Sequence, residues 1–213
     1  MQWHNHSIDV PIGAHAVYGG SKYSWVNDSS PEDALSRYYS SYASEVGTRI
    51  HELAADCIKT SVRLNKSEAK KLIQLKLLTG KFEIPRAAFD EVTLATNLIN
   101  FINDGIGYGM RPEQVLKFSD YSFGTADAII FDDKTRLLRI HDLKTGVVPA
   151  KFIQLEIYAA YFCLEYALKP GAISIELRIY QNGDVLVETP TAEDITPIID
   201  STLWHNKLIQ ETK

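Results

Sequence analysis

The 213-residue chain holds only two cysteines, Cys57 and Cys163, and no apolar run near the roughly 18–20 residues of a membrane-spanning helix. Two cysteines cannot build a four-thiolate cluster. Both sit inside helix-like patterns, which suits small buried residues of a reducing compartment. The N-terminus, Met1-Gln2-Trp3-His4-Asn5-His6, has no basic start and no apolar stretch, so it does not read as a secretory signal. Repeats, low-complexity tracts and obvious linkers are also missing. These absences point to an intracellular, cytoplasmic protein without a membrane partner.

What is present is ordinary for a globular chain: 45% hydrophobic, 23% charged and 10% aromatic residues, enough for one sizeable core. The expectation is one domain, with a loop-rich segment over 1–43, a core over 44–190 and a C-terminal helix over 191–213. The net charge of −5 argues mildly against indiscriminate nucleic-acid binding. It is unevenly spread. Between Cys57 and Arg86 stand eight basic residues (Lys59, Arg63, Lys66, Lys70, Lys71, Lys76, Lys81 and Arg86) against Glu68 and Glu83, so that segment is +6 and the remainder −11. Such a run is either a solvated helical face or a wall that follows a phosphate backbone.

The first forty or so residues are rich in Gly, Ser, Tyr and Asn, with a short helix expected from Ser30 as cap and Pro31 at the first position. Val46, Ile50, Leu53, Ala54, Cys57 and Ile58 recur at helical spacing and predict a helix from Ser44 to about Val62. A second helix follows from Ser67 and stops at Gly80. A third runs from Arg86 to Asn103 and stops at Asp104-Gly105-Ile106-Gly107. Gln114–Phe118, Gly124–Phe131 and Leu137–Leu143 then read as consecutive strands, antiparallel across tight connections. Pro149 opens a helix to about Leu168. Ile173–Tyr180 and Val185–Val187 form a hairpin around Gln181-Asn182-Gly183-Asp184, and Thr191 opens the last helix. The fold class is α/β: a central mixed sheet flanked by helices, with a helical N-terminal half.

Chemistry concentrates in two of the strands. Gly124-Thr125-Ala126-Asp127-Ala128-Ile129-Ile130 carries one carboxylate, and Ile140-His141-Asp142-Leu143-Lys144-Thr145-Gly146 carries another with a lysine two residues on. Period-two alternation puts Asp142 and Lys144 on one face and turns Leu143 into the core. Alone, an Asp–Lys pair at a strand end is a surface ion pair, and a single strand aspartate an exposed position. Together, two carboxylates on neighbouring strands can share one hard cation, to which the Leu143 carbonyl adds a ligand. Gln154 and Tyr158 lie four apart, on one face of the following helix. His51 lies on the first long amphipathic helix, where a lone histidine is commonly structural.

The order Gly47-x-x-x-His51-Glu52, Gly124-x-x-Asp127, Asp142-x-Lys144-Thr145-Gly146, Gln154-x-x-x-Tyr158 resembles the RecB-like branch of the PD-(D/E)XK nuclease superfamily, with phage-type exonucleases and CRISPR-associated RecB-like nucleases as the nearest in appearance. The likeness spans about residues 44 to 181. It implies a restriction-endonuclease-like core in which Asp127, Asp142, the Leu143 carbonyl and His51 hold Mg²⁺ or Mn²⁺. Lys144 would orient or help deprotonate the attacking water, and Gln154 and Tyr158 would form an auxiliary helix motif. Glu113 resembles an upstream acidic position of some such proteins, and Glu52 and Glu113 are the candidates for a second ion. Ala126 stands where the superfamily's eponymous proline would be. The cysteine cluster of some relatives is missing, so no iron–sulfur cluster is implied. Lys59, Arg63, Lys66, Lys70 and Lys71 are the candidate DNA track.

The reading that results is a metal-dependent DNA exonuclease of phage or mobile-element recombination or repair, working in the host cytoplasm if phage-encoded. The resemblance extends to linear double- or single-stranded DNA, to a single-strand annealing protein as partner, and to a homo-oligomer. Two alternatives stay open: a nuclease-fold binding or assembly module without catalysis, and a structure- or sequence-specific endonuclease. Trp3, His4, His6 and His15 are expected in a loop or the core. The aromatic stretch Tyr18 to Trp25 either packs or caps the site entrance.

Overall fold

The computed structural model describes residues 16–79 and 83–212. Trp3, His4, His6, His15, Gly80 and Lys81 lie outside them. Six α-helices are present among the described residues: α1 (Pro31–Ser40), α2 (Ala43–Lys59), α3 (Lys66–Leu78), α4 (Glu91–Gly107), α5 (Ile153–Glu165) and α6 (Ala192–Glu211). The strands are β1 (Arg111–Ser119), β2 (Ser122–Asp132), β3 (Leu137–Leu143), β4 (Ser174–Gln181) and β5 (Asp184–Glu188), in one sheet in the order β1-β2-β3-β4-β5. All neighbours are antiparallel except β3 and β4, which are parallel. A parallel pair needs a crossover long enough to return to the same end of the sheet, and α5 supplies it. The α/β architecture, with helices crowding the N-terminal half, is as expected from the sequence.

Local chemistry explains the boundaries. The Ser30 and Asn65 side chains each accept from a backbone amide three residues on while Asp33 and Glu68 reach back, so α1 and α3 open on capping boxes; at α6 the Thr191 amide and hydroxyl both donate to Asp194. Asn65 therefore caps α3, rather than the helix beginning at Ser67. α2 ends at Lys59 instead of near Val62, because Ser61 turns to φ 55°. Pro149 does not open α5. The helix starts at Ile153, and the intervening residues form a loop held by side chains described below.

The largest difference from the sequence expectation concerns α4. It begins at Glu91, capped by Asp90, and runs straight through Asp104-Gly105-Ile106-Gly107. Gly105 is there for packing, not for termination: a Cβ at that position would lie 2.7 Å from Ile58 Cδ1 of α2. The glycine lets two helices approach closely at little local cost.

Apolar side chains fill both faces of the sheet. One core joins Ile50, Leu53, Ile73, Leu77, Leu98, Phe101 and Ile102 of α2, α3 and α4 to Leu143 and Tyr180. The other joins Leu155, Ala159 and Phe162 of α5 to Ile129, Leu138, Ile140, Leu177 and Ile179, with Ile195 from α6. Each fully buried large side chain is worth about 1.5–3 kcal/mol. Cys57 and Cys163 are free and buried, and burial pushes the Cys163 thiol up to about 11. No helix among the described residues is long and apolar enough to cross a membrane.

Candidate metal centre and its lysine

Strand β2 meets β3 with Ala128 opposite His141 and Ile129 opposite Ile140. One step further along this antiparallel register Asp127 faces Asp142. Here the ladder gives way to side chains: the Leu143 amide donates to Asp127 Oδ2 at 2.8 Å. A strand residue's amide and carbonyl face the same neighbour, so the Leu143 carbonyl also turns toward β2. On the other side of β2, Glu113 of β1 stands opposite Asp127. Its φ of 51° is rare for a residue with a side chain, and strained backbone of this kind clusters at functional sites. From α2, His51 Nδ1 approaches Asp127 Oδ1 at 3.3 Å.

One ligand atom each from His51, Glu113 and Asp127 lies within 4.8 Å of the others. Asp142 is outside that group of three but next to it, only 3% exposed. Its Oδ1 accepts from Lys144 Nζ at 3.1 Å. Its Oδ2 is 3.0 Å from the same ammonium but without hydrogen-bond alignment, and has no other partner. Lys144 also donates to Gln154 Oε1 at 2.9 Å, and Gln154 Nε2 donates to the Tyr158 hydroxyl at 3.1 Å. Gly124 is explained by the same chain of contacts, since a Cβ there would come 2.7 Å from Tyr158 Cε1.

The electrostatics are those of an acid-rich pocket. Burial, reinforced by the charge on Asp127, raises the Asp142 carboxyl from 3.8 to about 6. Burial and Asp127 likewise push Glu113 up. For His51, burial works against the imidazolium, but the hydrogen bond and charge of Asp127 outweigh it and the net shift is upward. Three carboxylates thus share one region with one lysine and one histidine, an imbalance that a divalent cation would correct.

The remaining expected residues divide. A cleft of about 590 Å³ runs from the site along α2, lined by Gly47, Thr48, His51, Glu52, Lys59 and Glu113 among others. Glu52 lies in it, yet its side chain is 60% exposed and pairs with Lys76 at 3.6 Å, away from the group of three. Of the five candidate DNA contacts only Lys59 lines this cleft. Arg63 donates to the Asn103 carbonyl at 3.4 Å, Lys66 and Lys71 are exposed, and Lys70 is close enough to stabilise the Asp90 carboxylate. Tyr18 packs edge-on against Trp25 and donates to the Ala34 carbonyl, which ties that aromatic segment to α1.

Sequence reasoning overlooked two features. His141, on the opposite face from Asp142, is fully buried. Its Nδ1 lies 3.0 Å from the Tyr180 hydroxyl, which donates to Asp104 at 2.7 Å. Burial, with Arg178 and Arg139 adding to it, drives the His141 imidazole down to about 3, so it is neutral. The second is Gln181, read from sequence only as part of a turn, whose buried carboxamide holds the loop after Lys144. Neither carries a motif. A carboxamide serving backbone groups leaves no spacing signal.

The chain is an α/β protein with an acid-rich cluster, beside a lysine, where β2 and β3 part. A family model described as Protein of unknown function (DUF2800) matches residues 25–184, a stretch that contains every residue of this cluster, and the chain belongs to that family. No curated protein and no solved structure matches it.

Proposed function

We propose that the protein is a metal-dependent deoxyribonuclease that hydrolyses phosphodiester bonds from DNA ends, in the recombination or repair of phage or other mobile DNA. The observation that carries this reading is the convergence of His51, Glu113 and Asp127 from three separate elements, next to the linked Asp142–Lys144–Gln154–Tyr158. The donor set suits a hard cation, Mg²⁺ or Mn²⁺, because it is mainly carboxylate oxygen with one imidazole. The buried Asp142 Oδ2 faces the Lys144 ammonium but accepts no hydrogen bond, which leaves it a lone pair to offer there. His51, Glu113, Asp127 and Asp142, with the Leu143 carbonyl, would hold the ion. Bound there, such an ion neutralises phosphodiester charge and lowers the pKa of its water.

The chain's own residues supply the rest. Lys144, held between Asp142 and Gln154, places a positive charge where negative charge grows on the attacked phosphate. Gln154 fixes the ammonium by accepting a hydrogen bond from it, and Tyr158 sets the carboxamide's orientation. Glu113 belongs in the main ligand set rather than a reserve position, and Glu52 drops to the cleft wall. Lys59 would meet the DNA backbone. A single-strand annealing partner and assembly into a homo-oligomer belong to the same proposal.

The test compares linear and covalently closed circular DNA, single- and double-stranded, with Mg²⁺ or Mn²⁺ and with chelator. Degradation of linear DNA that needs the ion and spares circles supports the exonuclease. Cutting of closed circles moves the activity to an endonuclease. Binding of DNA without cleavage of any form contradicts the catalytic reading.

A further inference from the structure

The loop 145–152 joins Lys144 to α5, and its backbone is held from behind. Gln181, 4% exposed, donates through Nε2 to the Gly146 carbonyl at 2.6 Å and the Val148 carbonyl at 2.8 Å, and accepts from the Ala150 amide at 2.9 Å. Buried Asn97 donates to the Lys144 carbonyl at 3.2 Å and accepts from the Gly183 amide at 2.8 Å. Asn182 reaches the Val147 carbonyl at 3.4 Å. These peptide groups spend their hydrogen bonds inward, and the side chains of Val147 and Val148 stand outward, each 78% exposed.

A single exposed valine is common and needs no explanation. These two are adjacent, sit on a fixed backbone, and wall a groove of about 810 Å³ that is also lined by Tyr39 of α1, Phe89 just before α4 and Thr93 of α4. Thr145 and Gly146, the two residues that follow Lys144, line the same groove. Among the described residues, no lysine or arginine lines it, and Asp90 does. A surface that receives a duplex meets phosphates and is basic. The groove mixes polar side chains such as Ser36, Ser40 and Asn182 with the aromatic and valine surface, and that surface, without a cation, suits the faces of unpaired bases.

We propose that this groove seats the nucleobases next to the scissile phosphate of single-stranded DNA, with Val147 and Val148 as the contacting wall. The proposal rests on the nuclease reading of the adjoining site and names the substrate form: a strand whose bases are accessible. The strand's phosphates then follow the other cleft, past Lys59, while its bases enter between α1, α4 and the clamped loop.

The experiment is fluorescence anisotropy with the Lys144→Ala chain in Mn²⁺, using labelled oligodeoxythymidine and the same strand made abasic. Loss of the bases is expected to weaken binding about 10-fold or more. Val147→Ser/Val148→Ser in the same background is expected to weaken oligodeoxythymidine by a similar factor and the abasic strand little, with an unchanged circular dichroism spectrum. Equal affinity for the two strands, or unchanged binding by the valine variant, overturns the proposal. If the wild-type chain cuts duplex DNA while single strands neither bind nor compete, the groove proposal fails and the nuclease reading survives. Base-dependent binding with no cleavage of any DNA by the wild-type chain keeps the groove and overturns catalysis.

Discussion

At the residue scale, Asp142 is the position where burial and function conflict. Its carboxyl is raised above its ordinary value, so the folded chain binds a proton more tightly than the unfolded one. Its contribution to stability is therefore present below about pH 4 and is lost as pH rises through about 6, a change on the order of 2–3 kcal/mol. Thermal melts of the chelated protein should show this loss, Asp142→Asn should abolish it, and Mn²⁺ should restore stability at neutral pH. A melt independent of both pH and Mn²⁺ would speak against a charged, ion-ready Asp142. Glu113 offers a sharper test of its new standing. Glu113→Gln is expected to lower Mn²⁺ affinity about 10-fold or more in calorimetry, whereas Glu52→Gln should leave it nearly unchanged. The Asp142-x-Lys144 pair and Asp127 were legible in the sequence because period-two alternation and strand order suffice to bring them together. The rank of Glu113 was not, since its left-handed backbone and its register opposite Asp127 exist only in the sheet.

At the element scale, glycines and carboxamides set where helices and loops come to rest. Gly105→Ala drives a methyl into Ile58 and should cost about 1–3 kcal/mol in denaturant unfolding, as overpacking does. Ile58→Ala in the same chain should recover part of it. Gly124→Ala should push Tyr158 aside and loosen Gln154 and Lys144, lowering turnover more than stability. Replacing Gln181 with Leu leaves three backbone groups of the 145–152 loop without partners, at about 1–3 kcal/mol for each that stays buried. Helix periodicity and capping residues were readable in advance, as Ser30, Thr191 and the alternation in β4 illustrate. The run of α4 through its glycines was not. A glycine that ends a helix and one that admits a neighbouring helix look alike in sequence, and only the partner, Ile58, separates them.

At the scale of the whole molecule, a sheet covered on both faces leaves polar chemistry to the place where the β2–β3 ladder stops, and the acid-rich cluster sits there, at mid-β2 and the end of β3. The chain is net negative, with its positive charge concentrated between Cys57 and Arg86. Only Lys59 of the five expected contacts lines the cleft, so the basic helices present a broad face rather than a closed track. Binding should weaken with salt, and Lys59→Ala should reduce the slope of log affinity against log salt by about one contact. On the nuclease proposal, an ion held by His51, Glu113, Asp127 and Asp142 acts with Lys144 to cut DNA. That proposal is tested most directly by the rate of cleavage of end-labelled linear DNA in Mn²⁺ by wild type and Lys144→Ala, with Mn²⁺ affinity measured on both. Ion-dependent cleavage by wild type is expected, with a rate about 10²–10³ lower for the variant and Mn²⁺ affinity no weaker than that of wild type. Equal rates for the two chains, or no ion-dependent cleavage by wild type, would contradict it.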